Sequence, residues 1–191
     1  MSAAISALLD RPERMGMRPV VLGGPYPHPG KDPGVYRKAQ EFLRSFLRLA
    51  NYALVVLDRD GCGRAESRTE IEAGLERRLA ANGWENRCAA IVIDPELENW
   101  VWSDSPHVGA ALGWPAGDLR NWLSQRGHWP EHAKKPPDPK SAVEAALREK
   151  KIARSSAIYA DIARNVGFDR CVDPAFIKLR TTLQGWFPIA R

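Results

Sequence analysis

Acidic side chains follow two apolar runs of the sequence, at the points where each run ends. Asp58 and Asp60 come directly after the run ALVVL, and Asp94 follows the run AAIVI. Side chains two apart on an extended chain point the same way, so Asp58 and Asp60 would present their oxygens to one cation. Because carboxylates suit Mg²⁺ or Mn²⁺, we predict that Asp58, Asp60 and Asp94 are metal ligands.

Two further acids, Glu96 and Glu98, follow Asp94. A cluster of carboxylates at one sheet edge repels itself unless a divalent ion neutralises it, as in metal-dependent phosphoryl-transfer sites. Glu96 and Glu98 are the candidate catalytic residues of such a site. The alternative is structural, since Asp-x-Asp-Gly after a strand is also an ordinary turn in which Asp side chains bond local backbone amides. The residues alone leave both interpretations open.

The elements that would position these acids predict an α/β fold. The runs at 53–57 and 89–93 are continuously apolar, which is typical of strands covered on both faces of a mostly parallel sheet. Helical periodicity over 35–50 and about 66–81 places helices before and between them, as right-handed crossover units require. The carboxyl ends of parallel strands meet at one edge of the sheet, so the acids would be presented there together.

Two further elements are predicted around this core. A first strand over 18–22 ends at Gly23-Gly24-Pro25, where the chain must turn. A helix beginning at Pro95 has Trp100 on its apolar stripe and Glu98 at the edge of that stripe. Glu98→Gln is therefore expected to spare stability and to affect function. Of the seven tryptophans, most should be core, and Trp84, Trp102 and Trp129 are the candidates for exposure to a partner or a base.

The C-terminal third of the chain is basic. Residues 120–191 carry 14 Lys/Arg and 7 Asp/Glu, whereas residues 1–119 carry 14 and 16. The sequence suggests an α/β core over 1–104, a Trp/Pro/Gly-rich insert or linker over 105–139 and a basic helical part over 140–191 that packs on the core. Such a charge distribution suits DNA, RNA or an acidic protein partner, although basic helices are more often solvated faces. The candidate phosphate contacts are Lys134, Lys135, Lys140, Lys150, Lys151 and Arg154.

Composition excludes several classes of protein. No apolar run approaches the length of a membrane span, so membrane proteins are excluded. Three cysteines are too few and too scattered for a disulfide framework, which favours a reducing cytoplasm. The glycines form neither a dinucleotide-binding fingerprint nor a P-loop.

Three stretches of the sequence resemble a known family. The segments VVLDRDG, IVIDPELENWVWSD and YADIARNVGFDRCVDPAFIKLRTTL resemble small bacterial TOPRIM-like proteins related to the RloB group, over roughly residues 18–183. The resemblance extends to small subunits of phage-defence operons, including the methylation-associated defence system. It implies a TOPRIM-like α/β fold with a helical C-terminal extension. It also implies that the Asp58 and Asp60 pair holds Mg²⁺ in a nuclease-type phosphodiester site.

One departure from the family matters for its chemistry. TOPRIM folds place a Glu directly after the first strand, and this chain has Gly23 and Gly24 there. Either Glu96 or Glu98 has taken over that role, or the site is degenerate. The first case predicts a metal-dependent enzyme of a defence system. The second predicts a non-catalytic scaffold or adaptor that binds other defence subunits or nucleic acid.

Overall fold

The computed structural model describes residues 1–103, 105–169 and 171–189 of the chain. These residues form a mostly helical α/β fold with one small sheet of two parallel strands. The strands are β1 (Ala53–Asp58) and β2 (Cys88–Ile93), and the helices are α1 (Ser2–Leu9), α2 (Pro12–Met15), α3 (Lys31–Phe42), α4 (Arg59–Cys62), α5 (Arg68–Leu79), α6 (Glu98–Val101), α7 (Pro106–Ala111), α8 (Asp118–Gln125), α9 (Pro139–Glu149), α10 (Ser156–Asn165) and α11 (Pro174–Trp186). No described helix is long and apolar enough to cross a bilayer.

The chain forms two compact units. Unit 1 consists of Met1–Arg11 and Leu97–Cys171, and unit 2 consists of Pro12–Glu96 and Val172–Arg191. The change of unit falls between Glu96 and Leu97, inside the acidic segment that the sequence singles out. Asp104, the end of the predicted α/β core, lies outside the described residues.

The sheet of unit 2 confirms the two strands predicted from the apolar runs. Ala53 of β1 lies beside Cys88 of β2, and the parallel pairing continues to Asp58 and Ile93. The crossover between them contains α5, which begins with a capping box: Ser67 accepts from the Glu70 backbone, and the Glu70 carboxylate accepts from the Ser67 backbone. Apolar side chains of β1, β2 and α5 form one buried core, with α3 packed against β1 and α11 against β2.

The predicted strand over 18–22 is wrong. This segment is irregular, and the Val21 side chain is fully exposed. Val and Leu favour strands only where a neighbouring surface covers them, and this segment is not covered. The predicted TOPRIM-like sheet is therefore reduced to two strands, and Gly23 and Gly24 follow no strand.

Two carboxylates of α5 occupy the free edge of β2. Glu76 accepts the backbone N–H of Ala90 at 3.0 Å, and Glu72 accepts that of Val92 at 3.0 Å. Lys178 of α11 donates to both carboxylates, at 2.7 and 3.2 Å. Unpaired strand edges invite association with other chains, so these side chains close the edge in place of a third strand.

Unit 1 is helical and is built around tryptophan. Trp102 and Trp129 pack edge to face with ring centroids 5.2 Å apart, and the Trp102 indole donates to the Pro139 carbonyl. The segment over 105–139 contains α7 and α8. The turn over residues 130–133 is held by Arg120, which donates to three of its backbone carbonyls and lies over the Trp129 ring at 3.9 Å.

The prediction of exposed tryptophans is wrong. Trp84, Trp102 and Trp129 are all buried, whereas Trp100 and Trp122 are half-buried. The helix predicted from Pro95 is also wrong, because α6 begins only at Glu98. The C-terminal helical stretches are confirmed as α9, α10 and α11, and Asp173 caps α11 by accepting from two backbone amides.

Candidate functional site

The acids after β1 and β2 are held by groups of unit 2. The Asp58 backbone N–H donates to Asp32 Oδ1 at 3.2 Å, and Asp94 Oδ1 accepts from Arg59 at 3.2 Å. Asp60 lies in the short helix α4 with a largely exposed side chain, and its N–H donates to the Pro95 carbonyl. None of these bonds joins an Asp58 or Asp60 side chain to a local backbone amide, so the structural interpretation of Asp-x-Asp-Gly also stays a prediction.

The sequence did not predict that Asp32 would lie at this edge. A Cβ on Gly61 would lie 2.5 Å from Asp32 Oδ2, so the glycine leaves room for that carboxylate. Even so, no three His, Cys, Asp or Glu side chains of the described residues form a group able to hold a metal ion. Asp94 Oδ1 accepts from Arg59, and a Mg²⁺ or Mn²⁺ site formed by Asp58, Asp60 and Asp94 stays a prediction.

Metal binding at this edge stays a prediction with a direct test. If Asp58 and Asp60 hold the ion, millimolar Mn²⁺ should raise the melting temperature of the wild type by mass action. The double variant Asp58→Asn/Asp60→Asn should lose that shift. Equal melting curves for the two proteins with and without Mn²⁺ would contradict the assignment.

The two candidate catalytic residues lie in different units. Glu96 is half-buried and is the last residue of the first segment of unit 2. Glu98 is in α6 of unit 1, with only 2% of its surface exposed. The predicted positions of Glu98 and Trp100 are therefore reversed, because the carboxylate is buried and the indole is partly exposed. A catalytic role for either glutamate stays a prediction.

Glu98 belongs to a buried network of unit 1. Its Oε1 accepts from the Tyr159 hydroxyl at 2.7 Å and from the Arg154 guanidinium. Arg154 Nε also donates to the Tyr159 oxygen at 2.7 Å, and its Nη1 lies 3.4 Å from Glu144. Burial, together with the hydrogen bond to Glu98, raises the pKa of Tyr159 well above its ordinary value. The network therefore combines a neutral phenol with an ion pair.

The six predicted phosphate contacts all lie in unit 1, and the structure separates them into two groups. Lys134, Lys140, Lys150 and Lys151 are exposed. Lys150 Nζ lies 4.1 Å from the centre of the Trp114 ring. The other two contribute to the fold, because Lys135 donates to the Asn99 carbonyl at 2.6 Å and Arg154 pairs with Glu98.

Arg148 is a basic residue that the prediction missed. It is exposed near the end of α9, four residues after Glu144 and eight after Lys140, so the three share one face of the helix. The opposite face is buried through Ala142, Val143, Ala146 and Leu147. This spacing was readable from the sequence and could have identified Arg148.

Comparison of the chain with protein-family models, curated proteins and solved structures found no match. The resemblance to TOPRIM-like defence proteins therefore stays a prediction from short motifs.

Proposed function

We propose that this protein binds the phosphate backbone of nucleic acid through unit 1, as a subunit without catalytic activity of its own. The observation that carries the proposal is a set of exposed basic side chains in α9 and in the segments directly before and after it. We call this set the basic surface, and it consists of Lys134, Lys140, Arg148, Lys150 and Lys151.

The length of the basic surface suits a polyanion. Lys140 lies at the start of α9 and Lys150 directly after its end, so about 15 Å of helix separates them. Duplex DNA carries one negative charge per about 1.7 Å of its axis, so this length spans several phosphates. Lysine ammonium groups act as point charges that position a backbone, and they carry little sequence information. We therefore expect slight sequence preference.

The geometry favours binding over catalysis. Two of the five carboxylates predicted for metal chemistry are engaged with protein side chains: Asp94 with Arg59, and Glu98 with Tyr159 and Arg154. A nuclease-type role, a TOPRIM-like origin and membership of a prokaryotic anti-phage defence system, with other defence subunits as partners, rest on the sequence resemblance. A cytoplasmic location rests on cysteine usage in the sequence.

Charge reversal on the basic surface tests the proposal. The variant Lys134→Glu/Lys140→Glu/Lys150→Glu/Lys151→Glu should bind nucleic acid about a hundredfold more weakly than the wild type. It makes fewer phosphate contacts, so its binding releases fewer counterions from the nucleic acid. Fluorescence anisotropy with labelled DNA and RNA at about 50 mM salt measures the affinity. Circular dichroism should show an intact fold, since all four side chains are exposed.

A matched control removes the same charge from unit 2. The variant Arg37→Glu/Lys38→Glu/Arg48→Glu/Arg77→Glu reverses four exposed basic residues there and changes the net charge equally. It should weaken binding far less than the unit 1 variant. Equal losses for the two variants would show that net charge alone drives binding, and the proposal would then fail.

A further inference from the structure

An open, shallow depression lies beside the basic surface at the end of α9, and we call it the cavity. Its volume is about 320 Å³, and it is lined by Glu144, Leu147, Arg148, Ile152 and Arg154. Gly113 packs closely beside one of these residues, because a Cβ there would lie 2.5 Å from the Ile152 side chain. The glycine has a φ of +76°, which other residues rarely adopt, so both the backbone and the space favour glycine.

Arg154, which lines the cavity, is held in place by hydrogen bonds within unit 1. Arg154 is fixed by the Tyr159 hydroxyl and by the buried carboxylate of Glu98, and its side chain keeps 43% of its surface exposed. A guanidinium fixed in this way loses little freedom when a planar group stacks on it. Arg148 supplies a second, exposed guanidinium.

The remaining walls divide into an apolar and an acidic part. Leu147 and Ile152 are apolar, and Glu144 presents a carboxylate that already lies 3.4 Å from Arg154. Two guanidinium groups, two aliphatic side chains and one carboxylate acceptor together match a nucleobase with an exocyclic amino group. Arginine planes stack on unpaired bases, and a Glu carboxylate accepts from the N4 amino group of cytosine.

We propose that this cavity takes one unstacked, amino-bearing base of a single-stranded nucleic acid whose phosphates lie on the basic surface. The proposal rests on the proposed function and deepens it from backbone binding to a preference for single strands. Lys150 and Lys151 lie between Arg148 and Ile152 in the sequence, so the predicted phosphate contacts are next to residues that line the cavity. A base inside a duplex is stacked and paired, so it cannot enter.

The affinities of three labelled oligonucleotides of equal length test the preference. The wild type should bind an oligomer of dC about tenfold more tightly than an oligomer of dT, because thymine presents a carbonyl oxygen where cytosine has its amino group. It should also bind the dC oligomer more tightly than a mixed-sequence duplex at the same salt concentration. Equal affinities for the dC and dT oligomers, or tighter binding of the duplex, would overturn the proposal.

Filling the cavity separates this proposal from the proposed function. Ile152→Trp should weaken binding of the dC oligomer about tenfold, because the indole fills the space that the base would occupy, and it should leave duplex binding unchanged, because the lysines are untouched. Ile177→Trp is the matched control, since Ile177 is an exposed isoleucine of α11 in unit 2. It should change neither affinity.

A second variant addresses the acceptor and does not depend on the folding of Ile152→Trp. Glu144→Ala should bring the dC and dT affinities together, whereas a change of charge alone would raise both equally. Unchanged discrimination in Glu144→Ala, or unchanged dC binding in a folded Ile152→Trp, would overturn the base site. Loss of all salt-sensitive binding by the wild type would instead refute the proposed function.

Discussion

Replacing Glu98 by glutamine is expected to lower the free energy of unfolding by about 3 kcal/mol. Glu98 is 2% exposed and is the acceptor for both Tyr159 and Arg154. Removing one partner of a buried ion pair leaves the other charge without compensation, which typically costs about 3 to 5 kcal/mol. Arg154 keeps partial access to water and to Glu144, so the lower end of that range applies.

Urea denaturation followed by circular dichroism measures this loss, with Glu149→Gln as the control. Glu149 is the last residue of α9 and is exposed, so its substitution should change stability by less than about 0.5 kcal/mol. Tyr159→Phe should also destabilise, and a double-mutant cycle should show coupling between the two positions. A Glu98→Gln protein as stable as the wild type would refute the structural role of the network.

Glu72→Gln is expected to lower the free energy of unfolding by about 2 to 3 kcal/mol. This carboxylate is 3% exposed, forms hydrogen bonds with Arg68 at 2.7 and 2.8 Å and accepts from Lys178 at 3.2 Å. It also accepts the Val92 backbone amide at the edge of β2. Glutamine keeps an acceptor but loses the charge that two cations face, and hydrogen bonds between charged groups are the stronger ones.

The control for this position is Glu85→Gln, because Glu85 is exposed beyond α5. Its free energy of unfolding should equal that of the wild type within the error of the urea titration. Because alanine removes the acceptor that closes the strand edge, a Glu72→Ala protein should aggregate faster on heating than the wild type, as light scattering would report. A Glu72→Ala protein with wild-type stability and scattering would contradict the edge-closing role.

Much of the fold could be predicted because some patterns are local. The runs ALVVL and AAIVI mark β1 and β2, and the Pro after Asp173 marks the start of α11. The segment over 18–22 misled because β-branched residues predict a strand only where another surface covers them. What covers a segment depends on the whole chain, and here nothing covers Val21.

Some properties of the site residues could likewise be predicted from local sequence, and others depend on distant parts of the chain. Exposure of Lys134, Lys150 and Lys151 agrees with their place outside any apolar stripe. The roles of Lys135 and Arg154 could not be predicted, because their partners Asn99 and Glu98 lie 36 and 56 residues away in sequence. Such pairings follow from the packing of unit 1, which no local pattern encodes.

The salt dependence of nucleic-acid binding by the wild type tests the central claim most directly. Anisotropy titrations with a labelled single strand between about 50 and 200 mM salt give the slope of log K against log salt concentration. Contacts from the five side chains of the basic surface predict a slope of about −3 to −4, because each neutralised phosphate contributes about −0.7 for a single strand. Absence of binding near 50 mM salt, or a slope close to zero, would contradict the claim that unit 1 binds the phosphate backbone.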